Sequence, residues 1–467
     1  MSTDHHSFRR FCLFSLAAAV LPTLIGCDAR VEHPVVFEPN LVHAMKYELQ
    51  RDLPMDQASE DANWVVTKMF GTPDEPALPK VIQEDEDLAS VVSLERLERA
   101  SGPAIIPGRG LFRKHCAECH GVTGNGRGPL AAVQTPYPRD YRMGIFKFKS
   151  TPRGTKPTRE DLAELIRNGI AGTAMKKIPE LTEEDVQALV DYVIYLSMRG
   201  EHERTQIDMG ILDGILESEE RLINSDLGRR LDADPSYQER LEKLMEKEED
   251  QLTESEAEEV AQYERFLDDW GYAEDYAADI AESWLEAQDE IVDIPEPPTD
   301  LPLAENYEDV QQILASDQAD EFHASVERGR ELFVGKLASC SKCHGEKGLG
   351  NGQTTDYDDW TKDWTTRVGF KPEEREKLIP LLARGALEPR NSLPRNFQEG
   401  VFRGGSNSAD LYHRITQGID GTPMPAATFV EGEFEEEDVW HLINYIRSLQ
   451  TEPSEPLPRQ TETASQT

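Results

Sequence analysis

The stretch Lys114-His-Cys-Ala-Glu-Cys-His-Gly-Val-Thr-Gly-Asn-Gly126 sets two cysteines three residues apart, with a histidine directly behind the second. Cys116-x-x-Cys119-His120 has three chemical readings: half of a zinc site, a redox dithiol, or the attachment point of a covalent haem. The spacing suits the last. Two thioethers on adjacent turns span the vinyl groups of a porphyrin, and the next histidine reaches the iron from one face. A lone match is only moderately specific, so the rest of the chain has to decide.

The motif returns as Cys340-Ser-Lys-Cys343-His344, and the sequence around it repeats in order. Gly108-Arg-Gly-Leu-Phe112 precedes the first copy and Gly329-Arg-Glu-Leu-Phe333 the second; Gly124-Asn-Gly126 and Gly350-Asn-Gly352 follow them. Pro138-Arg-Asp-Tyr141 with Gly144-Ile-Phe146 matches Pro394-Arg-Asn-Phe397 with Gly400-Val-Phe402. Ile166-x-x-Gly169-Ile170-x-Gly172-Thr173-x-Met175 matches Ile415-x-x-Gly418-Ile419-x-Gly421-Thr422-x-Met424 position for position. Glu184-Asp-Val186 with Leu189, Tyr192, Val193 and Leu196 matches Glu437-Asp-Val439 with Leu442, Tyr445, Ile446 and Leu449. Matched blocks in fixed order mean two copies of one domain, about 101–200 and 321–451. Zinc wants four thiolate or imidazole ligands close together, so a zinc site would have to be assembled across the copies. A thioredoxin-like dithiol comes with a βαβ pattern, which is absent. Haem therefore leads.

Val186, Leu189, Val190, Val193 and Leu196 fall at helical spacing behind Thr182, with acids at Glu183, Glu184 and Asp185 in the first turn. Gly108 and Phe112 stand one turn apart ahead of Cys116, which predicts a short helix capped by the motif. Residues 201–320 read as an acidic helical linker, for example Leu241 to Phe266, broken by Pro295-Glu-Pro-Pro298. This linker is either a solvated spacer or an acidic arm folded onto the first copy or a basic partner. Residues 28–100 carry no assignable chemistry, with turns expected at Phe37–Asn40 and Phe70–Pro76; the Pro/Thr/Ser-rich end, 452–467, reads as a disordered tail.

The net charge of −40 is unevenly spread: residues 101–200 hold 15 basic and 10 acidic side chains, residues 201–300 hold 8 and 33. So acidic a chain is no nucleic-acid binder. Its N-terminus reads as an export signal over residues 1–26, with Arg9-Arg10, an apolar run from Phe11 to Ile25 too short for a comfortable membrane span, and Leu24-Ile25-Gly26-Cys27. That ending resembles the bacterial lipobox, which implies lipidation at Cys27 and anchoring at the periplasmic face of a bacterial membrane.

Each copy resembles a class I c-type cytochrome on these motifs, over about half the chain. The resemblance implies an all-α fold: two cytochrome c-like domains joined by the acidic insert, each around one covalently bound haem c. Cys116, Cys119, Cys340 and Cys343 then form the thioethers. His120 and His344 are implied as proximal ligands, with Met175 and Met424 as sixth ligands. The helices would cross at Gly108/Phe112 with Tyr192, and at Gly329/Phe333 with Tyr445. Lys176 stands where the family usually has the proline that Pro425 supplies, which puts the first methionine loop's geometry in question. Pro129 is expected to offer its carbonyl to His120. Arg139 and Arg395, present in both copies, are candidates for haem propionates or for anchoring their loop. The second copy carries some 30 extra residues within Gln353–Leu393, helix-like from Glu373 to Arg384, which would cover the second haem. Lys147, Lys149, Arg153, Lys176 and Lys177 would ring the first haem edge, while His115 reads as a surface residue and His413 and His441 as packing or surface residues on helices.

Iron closed by imidazole and thioether exchanges single electrons and has no open position for substrate. The function this implies is a membrane-associated dihaem electron carrier of a respiratory chain, working between redox partner proteins. The alternatives are a dihaem peroxidase, which would need one displaceable iron ligand, and a fixed cytochrome subunit of a larger oxidoreductase or oxidase complex.

Overall fold

The structure, a computed structural model, describes residues 35–218 and 220–451. The export signal, Cys27 and the tail 452–467 lie outside the described residues. Among those described there are helices and isolated bridges but no strand.

Before the first motif run α1 (Leu41–Arg51), started by the Asn40 side chain, α2 (Asp56–Phe70) and α3 (Leu94–Ala100). The motif itself spans two short helices, α4 (Leu111–His115) and α5 (Ala117–His120). Two further helices complete the first copy: α6 (Arg159–Asn168) and α7 (Glu183–Leu212). Both begin in a capping box, Thr158 with Asp161 and Thr182 with Asp185.

The helix predicted behind Thr182 exists but does not stop with the repeated block. It runs 30 residues, and Ile207 and Ile211 of its second half bury against Ala44, Met55, Ala58 and Ala62 of α1 and α2 and their connection. Residues 41–70 thus gain a role that no motif announced: they cover the extension of α7. Asp191, buried in the first half of α7, ties α3 and α6 to the same helix. It accepts hydrogen bonds from Ser93 N at 2.8 Å, Arg96 Nε at 2.7 Å and Arg159 Nη2 at 2.5 Å. A buried carboxylate is tolerated when several donors satisfy it in this way.

The linker folds as α8 (Pro235–Met245) and α9 (Glu254–Glu286), separated around Thr253, so Leu241–Phe266 is two helices, not one. The apolar side of α9 faces the first copy, and α8 packs on α9. Ala273, Ala277 and Ala281 recur once per turn and allow α9 to approach α7 closely; Trp284 meets Phe146 with ring centroids 5.7 Å apart. His202 of α7 donates from Nε2 to the Ala273 carbonyl at 2.7 Å, and the Gln206 amide nitrogen lies 3.1 Å from Nδ1. The acidic face is left to solvent.

The second copy contains α10 (Ala319–Val334), α11 (Ser341–His344), α12 (Arg375–Ala383), α13 (Ser408–Gln417) and α14 (Asp438–Ser448). Here α10 crosses α14 at Gly329, where a Cβ would lie 2.0 Å from the His441 carbonyl oxygen, and Phe333 packs on Tyr445 at 5.1 Å. In the first copy Phe112 and Tyr192 pair in the same way at 4.9 Å. Gly108, however, is not at a crossing. It has open space around it at φ +78°, ahead of a helix that starts only at Leu111. Pro103 and Pro107 prevent a long helix from reaching that far back, and α3 packs on α7 instead. The extra segment of the second copy lays Trp364, Leu378 and Leu381 on Met45 of α1, so its middle packs away from the motif.

Two candidate haem sites

In the second copy a cavity of about 590 Å³ is lined by Cys340, Cys343, His344, Met424, Arg395 and Arg403. That volume lies in the range of cofactor pockets. One helical turn, α11, carries Cys340, Cys343 and His344 to the wall, closed by a bond from His344 N to the Cys340 carbonyl at 2.9 Å. Gln353, Asp356, Ser392 and Leu393, at the two ends of the extra segment, border the cavity.

The two imidazoles are held identically. His344 Nδ1 is 3.1 Å from the Arg395 carbonyl, and His120 Nδ1 is 3.1 Å from the Arg139 carbonyl. The nitrogen next to a carbonyl carries the proton, which leaves Nε2 with its lone pair free for a metal. Burial pushes His120 down to about 4 and His344 below its ordinary value, so both rings are neutral, the ligand form. The acceptor of His120 is therefore Arg139, not Pro129. The reason lies in the loop: the bond from Tyr141 N to the Gly124 carbonyl draws the Pro138–Tyr141 segment over the motif.

The same segment supplies a feature that the sequence reading missed. Tyr141 stacks on His120 at 4.9 Å and 16°, and Phe397 stacks on His344 at 4.4 Å and 19°. The signal was present in the repeated Pro-Arg-x-aromatic block, which calls for a reason to keep an aromatic at one place.

The thiols argue against the competing readings. Burial pushes Cys116 up to about 12 and Cys340 to about 11. A working redox dithiol needs one thiol moved the other way. Among the described residues no three His, Cys, Asp or Glu side chains are placed to hold a metal ion, so the two motifs do not combine into a zinc site.

Both methionine loops have one hydrogen-bonded form. Gly169 and Gly418 leave α6 and α13 at φ +72°. Ile170 N bonds to the Met175 carbonyl at 2.8 Å and Ile419 N to that of Met424 at 3.2 Å; the Thr173 and Thr422 hydroxyls each accept from the methionine N, at 3.1 and 3.2 Å. Lys176 in place of proline leaves this pattern unchanged.

Arg395 borders the cavity and Arg139 is half-buried, pushed down to about 10 by desolvation of its guanidinium. Arg403, absent from the sequence reading, also lines the cavity and is pushed down to about 10 by burial and by Arg395. Its buried Nε has no hydrogen-bond partner among the described residues. Two crowded guanidinium groups at one wall suit a ligand with carboxylates, such as the propionates of a haem. His115 is not at the surface: its side chain is 8% exposed, 3.8 Å from Glu180. Of the five basic residues expected at the first haem edge, Lys149 is buried in an ion pair with Asp420, Arg153 reaches the second copy, and Lys147 lines the second cavity; Lys176 and Lys177 remain exposed.

Comparison with known proteins assigns a family model to each copy. Residues 103–193 match the family model of cytochrome c oxidase, cbb3-type, subunit III, and residues 326–450 match that of cytochrome c. The class is thus the c-type cytochromes. The chain is a dihaem member: it carries two cytochrome c domains in an all-α fold, binds two haem c groups covalently and transfers electrons. No curated protein matches the chain as a relative. Among solved structures, a chain of the reducing HAO-like protein complex of Kuenenia stuttgartiensis is similar at 21% identity and a TM-score of 0.39, over 77% of this chain and 97% of that one.

Proposed function

We propose that this cytochrome relays single electrons in a membrane-associated respiratory chain, with both irons ligated by histidine and methionine. In this reading Cys116, Cys119, Cys340 and Cys343 form the thioethers, His120 and His344 are the proximal ligands, and Met175 and Met424 close the sixth positions. Bound haem supplies a reversible Fe(III)/Fe(II) couple. The protein's residues do the rest. The Arg139 and Arg395 carbonyls fix the imidazole tautomer, the Tyr141 and Phe397 rings fix its plane, and Arg395 and Arg403 stand ready for propionates.

The single observation that carries the reading is the convergence of Cys340, Cys343, His344 and Met424 on one cavity. The Met175 loop repeats the Met424 loop bond for bond, which supports the same role in the first copy. The decisive experiment is a near-infrared spectrum of the ferric holoprotein, where a thioether-to-iron band from both haems is expected. A high-spin, five-coordinate centre in either half, or peroxide turnover by the reduced protein, would refute it and favour the peroxidase alternative.

We place the protein at the periplasmic face of a bacterial membrane, held through lipidated Cys27. The lipobox-like Leu24-Ile25-Gly26-Cys27 supports this, and among the described residues no helix is long and apolar enough to cross a membrane. Mass spectrometry of membrane-extracted protein, with a Cys27→Ser comparison, tests the anchor. Release of wild-type protein in soluble form would refute it.

A further inference from the structure

The second cavity is not built from the second copy alone. Lys147 and Phe148, just beyond the repeated Gly144-Ile-Phe146 block of the first copy, line it. A few residues on, the first copy grips the methionine loop itself. Arg153 Nη1 donates to the Met424 carbonyl at 2.9 Å, and Gly154 N donates to Asp420 Oδ2 at 3.0 Å. Lys149 Nζ lies 2.6 Å from the same Asp420 oxygen, the two side chains being 5% and 11% exposed. Asp420 sits inside the loop that runs from Gly418 to Met424.

The contact has a reciprocal half. Arg403, just beyond the matching Gly400-Val-Phe402 block, donates to the Gly172 carbonyl of the first methionine loop at 3.3 Å. A Cβ on Gly172 would lie 2.8 Å from the Val401 side chain. Between the two halves, Phe148 abuts Gly404, where a Cβ would be 2.2 Å from its ring. Phe148 and Gly404 are equivalent positions, each two residues after the matched phenylalanine, and equivalent positions meet at a twofold axis. The halves are nevertheless unequal. Position 420 is Asp in the second copy, and its counterpart Ala171 in the first offers no carboxylate, so only the second loop is held by a buried ion pair.

We propose that the second haem site is completed by the first domain, with Lys149, Arg153 and Asp420 as positioning residues that hold the Met424 loop against its iron. The inference rests on Met424 being an iron ligand. Its consequence is that the potential of one haem depends on the docking of the other domain. Loosening the loop weakens sulfur ligation, and the axial ligand is a main lever on haem potential. A charge pair this enclosed holds its geometry better than a surface pair would.

The test uses full-length holoprotein. Arg153→Ala removes the bond to the Met424 carbonyl from a partly exposed side chain. The double variant Lys149→Met/Asp420→Leu removes the ion pair without leaving one charge buried alone. Met424→His gives the reference in which one haem has lost its thioether band. Each variant should reduce the near-infrared thioether band by up to half and lower one of the two midpoint potentials, with the other unchanged. In the Met424→His background Arg153→Ala should remove no more of the band. The inference falls, and methionine ligation stands, if wild type shows both bands and both variants keep both bands and both potentials. It also falls if Arg153→Ala erodes the band that survives Met424→His. A wild type with fewer than two bands overturns the ligation reading and this inference with it.

Discussion

Replacing Gly329 by alanine tests the one place where the two copies differ most in construction. The Cβ would sit 2.0 Å from the His441 carbonyl oxygen and 2.8 Å from Tyr445 Cβ, where ordinary contact begins at 3.4 Å. The oxygen belongs to helix backbone and cannot rotate away, so α10 and α14 must part by about an ångström. Overpacking of this kind costs about 1–3 kcal/mol. Loosening the Phe333–Tyr445 pair adds about 0.5–1.5 kcal/mol. Alanine returns about 1 kcal/mol in helix propensity. A net loss of about 2 kcal/mol is expected for alanine, and more for valine, which adds methyl groups and forgoes most of the propensity gain. Gly108 is the control: nothing lies within 4 Å, and its φ of +78° is the whole cost, about 1–2 kcal/mol for a residue with a Cβ. There valine should exceed alanine only by the added strain of a β-branched residue at positive φ, a smaller step than at position 329. Denaturant unfolding of the four holoproteins, followed by far-ultraviolet circular dichroism with the Soret band as a second probe, reads both the cost and its dependence on size. Wild-type stability in Gly329→Ala, or an equally steep dependence on size at position 108, would refute the crossing.

The other expectations follow from single contacts. Burial holds His202 down at about 4, so between the unfolded value near 6.5 and that point the folded chain refuses a proton that the unfolded chain takes. Stability is therefore full above pH 6.5 and lost on acidification, by at most about 3 kcal/mol; His202→Phe should flatten urea midpoints measured from pH 7 to 4.5, and an unchanged slope would exclude this residue as the source. Tyr141→Phe should keep the stack on His120 and leave both potentials in place, whereas Tyr141→Leu should move one; spectroelectrochemistry decides, and no change in either variant would deny the stack a role. Cys116→Ser/Cys119→Ser should lose one porphyrin of two by mass spectrometry of the exported protein, and retention of both would refute the attachment site. Trp284→Ala removes a fully buried ring and should cost about 3–5 kcal/mol, seen as early protease cleavage within 254–286; cleavage at the wild-type rate would show that the linker is held by something else.

The local chemistry of each site was legible because its residues sit close together in sequence. Cys-x-x-Cys-His is written on one turn, and the Gly-Thr-x-Met loop closes within seven residues on its own hydroxyl and amide groups. Duplication then separated these positions from noise, since a methionine that recurs in the same frame is not ordinary core filling. What failed to show was whatever depends on a long-range partner. The histidine acceptor was placed at Pro129, close by in sequence, because nothing in the sequence shows that Tyr141 N bonds to Gly124 and draws the carbonyl of Arg139 into position. Arg403 carries no mark except its place behind a repeated phenylalanine. The length of α7 did not show for the same reason: its second half is buried by α1 and α2, whose sequences carry no motif of their own.

The acidic linker shows how composition can mislead about mechanism while pointing to the right place. An excess of carboxylates beside a basic module suggests attraction between opposite charges, yet few charged contacts join α9 and the turn after it to the first copy. Thr155 Oγ1 reaches Glu290 at 3.0 Å, and Arg159 N reaches the neutral Gln288 at 3.0 Å. The attachment is apolar: Trp284 on Phe146, and a row of alanines that lets the helix lie close to α7. Exposed pairs contribute little and are screened by salt, whereas burying a tryptophan contributes several kcal/mol. The acids therefore do not hold the linker down. They occupy the face left over once the apolar stripe is spent, and they turn a basic, apolar module outward as a strongly negative one. What a redox partner meets on that side is the charge of the linker; of the basic residues expected at the first haem edge, Lys149, Arg153 and Lys147 turn to the second copy, and Lys176 and Lys177 stay exposed.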